Sequence, residues 1–111
     1  MTHRHLLDLD DVAADEVELL LDLASAPAID RVLDGRGVAL IFEKPSARTR
    51  HSTEMAVVQL GGHPITTRAD EVGLDVRESV EDVTRTLAQY HAALCARVFD
   101  HTTLERMAAL D

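Results

Sequence analysis

The chain has no Trp, one Tyr and two Phe in 111 residues, so its core cannot be organised around large rings and must rest on Leu, Val, Ile and Ala. Cysteine occurs once, as Cys95 in an apolar run, which excludes an internal disulfide and suggests a buried small hydrophobe. No apolar run approaches the roughly 20 residues needed to cross a bilayer. The segment after Met1 also lacks the apolar core of a secretory signal, so a cytoplasmic protein without a membrane partner is expected. Positive charge is scarce: eleven basic against twenty acidic residues give a net charge of −9, which repels nucleic acid and makes it an unexpected partner. Lys44 is the single lysine, and the other ten basic residues are Arg. The length fits one domain, with little stability to spare.

What the sequence does contain is centred on Ile41-Phe-Glu-Lys-Pro-Ser-Ala-Arg-Thr-Arg50. The apolar run from Val38 to Phe42 reads as a buried strand, Pro45 breaks it, and Ser46 onward reads as a helix reaching Leu60. Two hydroxyls and two guanidiniums therefore fall where a helix begins, among backbone N–H groups that lack intrahelical acceptors and at the positive end of the macrodipole. Guanidinium forks fit a tetrahedral oxyanion in two-pronged fashion, and hydroxyls fill the remaining positions. A phosphate ligand is expected. The alternative, in which Ser46 only caps and Arg48 and Arg50 are solvated charges, would be preferred for an isolated Ser-x-Arg. It is less attractive for four such groups in five positions.

Elsewhere, Asp15 and Glu16 open a helix that ends near Pro27, in which Leu19 and Leu23 widen the apolar face and imply contact on more than one side. Asp34-Gly-Arg-Gly37 is a turn into the first strand. Met55, Ala56 and Val58 form the expected apolar side of the second helix, Gly61-Gly62 ends it, and Pro64 to Thr67 read as a short strand. The charged stretch 68–77 reads as an exposed, mobile loop. Ser79 to Asp82 and Thr102 to Glu105 each look like a capping box. The first opens a helix with Val80, Val83, Leu87 and Tyr90 on one face. The second opens a helix carrying Leu104, Met107, Ala108 and Leu110, and between them Ala92 to Phe99 centre on a third buried strand. The His3–His5 pair lacks further ligands at metal spacing and is read as an exposed terminus, so no metal is expected. His51 and His63 are given no role.

Helices alternating with short, unalternated apolar strands point to the α/β class, a parallel sheet with helices on both faces. Ligands of such sheets bind beyond the carboxyl ends of the strands. Strand polarity puts Arg97, near the end of the third strand, on the same edge as Ser46 to Arg50. Two readings of Arg97 stand: a member of the anion site, or an ion-pair partner of Asp100 or a helix terminus.

Phe42-Glu-Lys-Pro-Ser-Ala-Arg-Thr-Arg50 followed by Leu60-Gly-Gly-His-Pro64 resembles the carbamoyl-phosphate motif of the carbamoyltransferases, and its flanks resemble the ornithine branch. The resemblance runs from about Leu6 to the last residue and covers less than half of that family's usual chain. It implies an incomplete carbamoyl-phosphate-binding domain over 1–111, with the ornithine-binding domain absent and the fourth strand missing. The implied enzyme transfers a carbamoyl group from carbamoyl phosphate to ornithine in arginine biosynthesis or urea-type metabolism, uses no cofactor, and is a homotrimer.

By the same resemblance, Ser46, Ala47, Arg48 and Thr49 bind the phosphate, Arg97 bridges phosphate and carbonyl oxygen, and Thr49 also faces the carbonyl. Arg48, Thr49 and Arg97 are thereby the catalytic candidates, and Arg50 holds the loop. Ala47 stands where Thr is commonest, which suits a position acting through its backbone N–H. Gly73-Leu-Asp75 aligns with a loop where the family places Gln or His, then Leu-Gly, against carbamoyl phosphate in a neighbouring subunit. A divergent subgroup or another amine acceptor is therefore open. A non-catalytic phosphate-binding or assembly module is the alternative from another class, and the isolated chain is expected to be inactive.

Overall fold

The computed structural model describes residues 4–110. After a 3-10 turn at Leu9–Asp11 come α1 (Ala14–Ala24), β1 (Gly37–Phe42), α2 (Ala47–Gln59), β2 (His63–Arg68), α3 (Ala69–Val72), α4 (Val80–Ala88), β3 (His91–Arg97) and α5 (His101–Ala108). The three strands are parallel in the order β2-β1-β3, with Phe42 level with Arg68 on one side and Arg97 on the other. The expected α/β class and its parallel sheet are thus present.

Successive residues of a strand point to opposite faces, and β1 uses both. Ile41 packs with Ala69, Leu74, Val80, Val83 and Met107 beneath α4 and α5, whereas Val38 and Leu40 pack with Val57 of α2. Leu40 and Ile41 are fully buried, each such side chain contributing about 1.5–3 kcal/mol through removal from water. This two-sided burial explains why β1 is an unbroken apolar run.

Several local expectations are corrected. The covered side of α2 is Thr49, Thr53, Val57 and Leu60, while Met55, Ala56 and Val58 are exposed, because packing over β1 and β2 selects a mostly polar stripe. Only β1 is buried as a strand. β3 packs on the core through one face only, Leu94 and Ala96, so Cys95 on the opposite face is exposed rather than buried, and its partial covering pushes the thiol pKa up. Tyr90 follows α4 and is exposed. The stretch after Arg68 is folded: α3, then Gly73 at φ 65°, with Ala69 and Leu74 in the core. Asp100, whose carboxylate accepts from the Thr102 N–H at 3.0 Å, caps α5 in place of Thr102. Ser79 caps α4, accepting from Asp82 N–H at 3.0 Å, without the return bond that would complete the expected capping box.

No residue of α1 is buried, and Leu19, Leu20, Leu21 and Leu23 are each more than half exposed. The contacts expected of its broad apolar face are not made within the described residues. His3, half of the His3–His5 pair, lies outside them. No helix among them is long and apolar enough to cross a membrane.

Candidate anion-binding site

The order β2-β1-β3 makes the chain leave β1 toward one side and return to β3 on the other, so a crevice opens beyond the carboxyl ends of β1 and β3. Parallel α/β sheets bind ligands at such a switch point. Into it run the β1–α2 connection, Glu43 to Ser46, and the β3–α5 connection, Val98 to Asp100.

Ser46 is the N-cap of α2, extended at φ −156° and ψ 96°, and its hydroxyl accepts from the Thr49 N–H at 3.4 Å. The first intrahelical bond is from Arg50 N–H to the Ser46 carbonyl at 2.9 Å. Ala47 and Arg48 occupy the first two helical positions, whose N–H groups no preceding turn can satisfy. Their donors and the helix dipole make this end electropositive without any side chain.

Side chains add to it. The Arg97 guanidinium donates through Nη1 to the Thr49 hydroxyl at 3.3 Å. Arg48 is exposed and has no hydrogen-bond or ion-pair partner among the described residues. Arg50 instead turns away: its Nε donates to Glu54 Oε2 at 2.8 Å, and Glu54 also accepts from the Thr66 hydroxyl of β2. Those two bonds hold the Glu54 carboxyl below its ordinary pKa, Thr66 contributing most. Glu54 therefore ties α2 to β2, and Arg50, paired within its own helix, does not reach the β1–α2 loop it was expected to hold. The other reading of Arg97, a pair with Asp100, is not seen. Asp100 accepts from the Thr102 backbone and hydroxyl, which lower its pKa.

An open cleft of about 320 Å³ adjoins the motif, lined in part by Lys44, Arg97, Phe99 and His101. Two of its tethers were not foreseen from the sequence. Glu43 accepts the Phe99 N–H at 3.0 Å, and the Lys44 ammonium lies 5.3 Å from the Phe99 ring centroid. Among the described residues no group of three or more His, Cys, Asp or Glu side chains is placed to hold a metal ion. What the two connections bring together is the Arg97 guanidinium, the Thr49 hydroxyl and the first N–H groups of α2.

Residues 4–111 match the family model for the aspartate/ornithine carbamoyltransferase carbamoyl-P binding domain. The chain is 44% identical to an ornithine carbamoyltransferase of Hyperthermus butylicus over 96% of its own length and 36% of that protein's. Its fold is similar to the solved structure of the ornithine carbamoyltransferase from Pyrococcus furiosus, with TM-score 0.85 and 38% identity over 97% of this chain and 37% of that one. The anabolic ornithine carbamoyltransferase of Campylobacter jejuni gives TM-score 0.87 and 32% identity, over 96% of this chain and 36% of that one. The chain thus spans a little over a third of the length of the relatives it matches.

Proposed function

The chain belongs to the aspartate/ornithine carbamoyltransferase family as its carbamoyl-phosphate-binding domain, and from that premise we propose that Ser46, Ala47, Arg48, Thr49 and Arg97 grip carbamoyl phosphate. Arg48 and the N–H groups of residues 47 and 48 serve the phosphate. Arg97 bridges phosphate and carbonyl oxygen, with the Thr49 hydroxyl beside it. The observation that carries this reading is the Arg97–Thr49 contact, which joins the two connections at the switch point.

The chemistry requires such groups. A neutral amine attacking the carbamoyl carbon loads negative charge onto the carbonyl oxygen, and the departing phosphate gains charge as its C–O bond breaks. Donors already fixed around both oxygens stabilise that redistribution, and loss of one typically raises the barrier by about 3–4 kcal/mol. In the complete enzyme, Arg48→Ala is expected to abolish turnover. Ornithine as acceptor, a homotrimeric assembly and a cytoplasmic setting are parts of the same proposal, and the acceptor-binding groups lie outside this chain. The chain alone is expected to bind the phosphate ester weakly and transfer nothing.

Calorimetric titration with carbamoyl phosphate and inorganic phosphate, beside a mass measurement of the oligomer, tests it. Saturable binding that is lost in Arg48→Ala is expected. Equal heats for the two proteins would overturn the assignment.

A further inference from the structure

A carboxylate is electrostatically out of place beside an oxyanion site, and Glu43 is such a carboxylate, one residue past β1 and three before Ser46. Its backbone N–H donates to the Arg97 carbonyl at 2.8 Å, adding one rung to the β1–β3 ladder. Its side chain then reaches further, Oε1 accepting the Phe99 N–H at 3.0 Å across 56 residues of sequence. Lys44 approaches the ring of the same Phe99. Both residues of the bend after β1 therefore hold the segment that leaves β3.

The Arg97–Thr49 contact cannot set this separation by itself, since it is a 3.3 Å bond from an exposed side chain with many rotamers. Glu43 is partly buried as a residue, has a shorter side chain than Arg97, and accepts from the Phe99 main chain directly. We propose that Glu43 is a positioning residue of the anion site, stapling the 97–99 segment to the β1–α2 bend so that Arg97 converges on Thr49. The proposal rests on the phosphate-binding reading above and adds to it the device that holds the two halves together.

Charge and position make opposite demands, which allows a decisive experiment. If Glu43 acted only through its charge, any neutral replacement would tighten anion binding by removing repulsion. As a staple, Glu43→Gln keeps the acceptor oxygen and binds inorganic phosphate at least as tightly as the parent chain. Glu43→Ala loses the acceptor and is expected to bind about fivefold more weakly, the effect of one lost hydrogen bond of ordinary strength. Glu43→Asp keeps the charge but is one methylene short, so it weakens binding too, and it stands in for Ala if that variant fails to fold.

Calorimetry with inorganic phosphate on the four proteins reads this directly, and amide hydrogen exchange should show Phe99 faster in the Ala and Asp variants only. Ala or Asp variants that bind as tightly as Gln, while the parent binds phosphate, overturn the staple and leave the phosphate site standing. A parent chain that takes up no phosphate overturns the functional reading and the proposal with it.

Discussion

Arg97 and Thr49, 48 residues apart in sequence, meet through a guanidinium-to-hydroxyl hydrogen bond of 3.3 Å beyond the ends of β3 and β1. The contact exists because β1 is the central strand. With β2 on one flank and β3 on the other, the helix that follows β1 starts beside the last residue of β3. Neither residue is an anion site alone. Together they place a cation against a helix N-terminus, and a phosphate between them would be bound from two directions.

Thr49→Val tests that relationship with almost no change of shape. The methyl fills the space of the hydroxyl, while Arg97 loses its acceptor and an incoming carbonyl or phosphate oxygen loses a donor. Phosphate affinity is expected to fall by about 1 kcal/mol, roughly fivefold, with little change in thermal stability. Unchanged affinity by calorimetry would show that the Thr49 hydroxyl does not face the ligand.

Two serines cap helices here, and their bonds differ. Ser79 accepts from Asp82 N–H at 3.0 Å, whereas Ser46 accepts from Thr49 N–H at 3.4 Å, near the limit of a useful bond. Ser79→Ala should therefore destabilise the fold by about 1 kcal/mol, as for an ordinary N-cap, and Ser46→Ala by about 0.5 kcal/mol or less. Phosphate binding should show the reverse order, Ser46→Ala weakening it and Ser79→Ala leaving it alone. Equal stability losses in urea titration would place Ser46 among ordinary caps.

The parts of this architecture legible in the sequence were those set by local chemistry. The run Val38 to Phe42, the break at Pro45 and the hydroxyl and guanidinium cluster each follow from neighbouring residue types, and strand polarity then puts Arg97 on the right edge. Strand order is another matter. Ala93 to Ala96 is as apolar as a central strand, and only the fold shows that it is an edge strand packed on one face, with Cys95 on the other. The buried stripe of α2 contains Thr49 and Thr53, so a search for apolar periodicity finds Met55 and Val58 instead. Asp100 and Thr102 are both good caps, and sequence cannot choose between them. The Glu43 staple joins residues 56 positions apart and leaves no local signal at all.

Gly73 shows where backbone geometry overrides composition in the charged stretch after Arg68. It closes α3 at φ 65°, and its carbonyl accepts from the N–H groups of Val76, Arg77 and Glu78. A Cβ there would stand 2.9 Å from Arg77 Cβ and 2.5 Å from its Nε, so Ala meets both strain and crowding. Gly73→Ala is expected to lose about 1–2 kcal/mol, the left-handed cost for a residue with a Cβ, plus whatever the displacement of Arg77 adds. A urea midpoint equal to that of the parent chain would show that this turn relaxes freely.

Arg106 ties three segments together, and its pairing predicts how stability depends on pH. Its Nη1 and Nη2 donate to Asp75 at 3.0 and 3.1 Å, and its Nε and Nη2 donate to Glu81 at 2.9 and 2.8 Å. The hydrogen bonds from Arg106 are the main reason that Glu81 is lowered from 4.5 to about 2 and that Asp75 is lowered as well. A carboxyl whose folded pKa lies below its unfolded one stabilises the fold while ionised. That contribution is whole above pH 4.5 and is lost as pH falls from 4.5 through about 2. Arg106→Met keeps the aliphatic packing and removes the charge, leaving two carboxylates to repel each other across the α5 surface. Its melting temperature should be lower than the parent's at pH 7, change less on acidification, and approach the parent's near pH 2. Because the groups are partly solvated, high salt should narrow the gap at pH 7. Parallel melting curves from pH 7 to pH 2 would show that the network adds nothing to the folded state beyond packing.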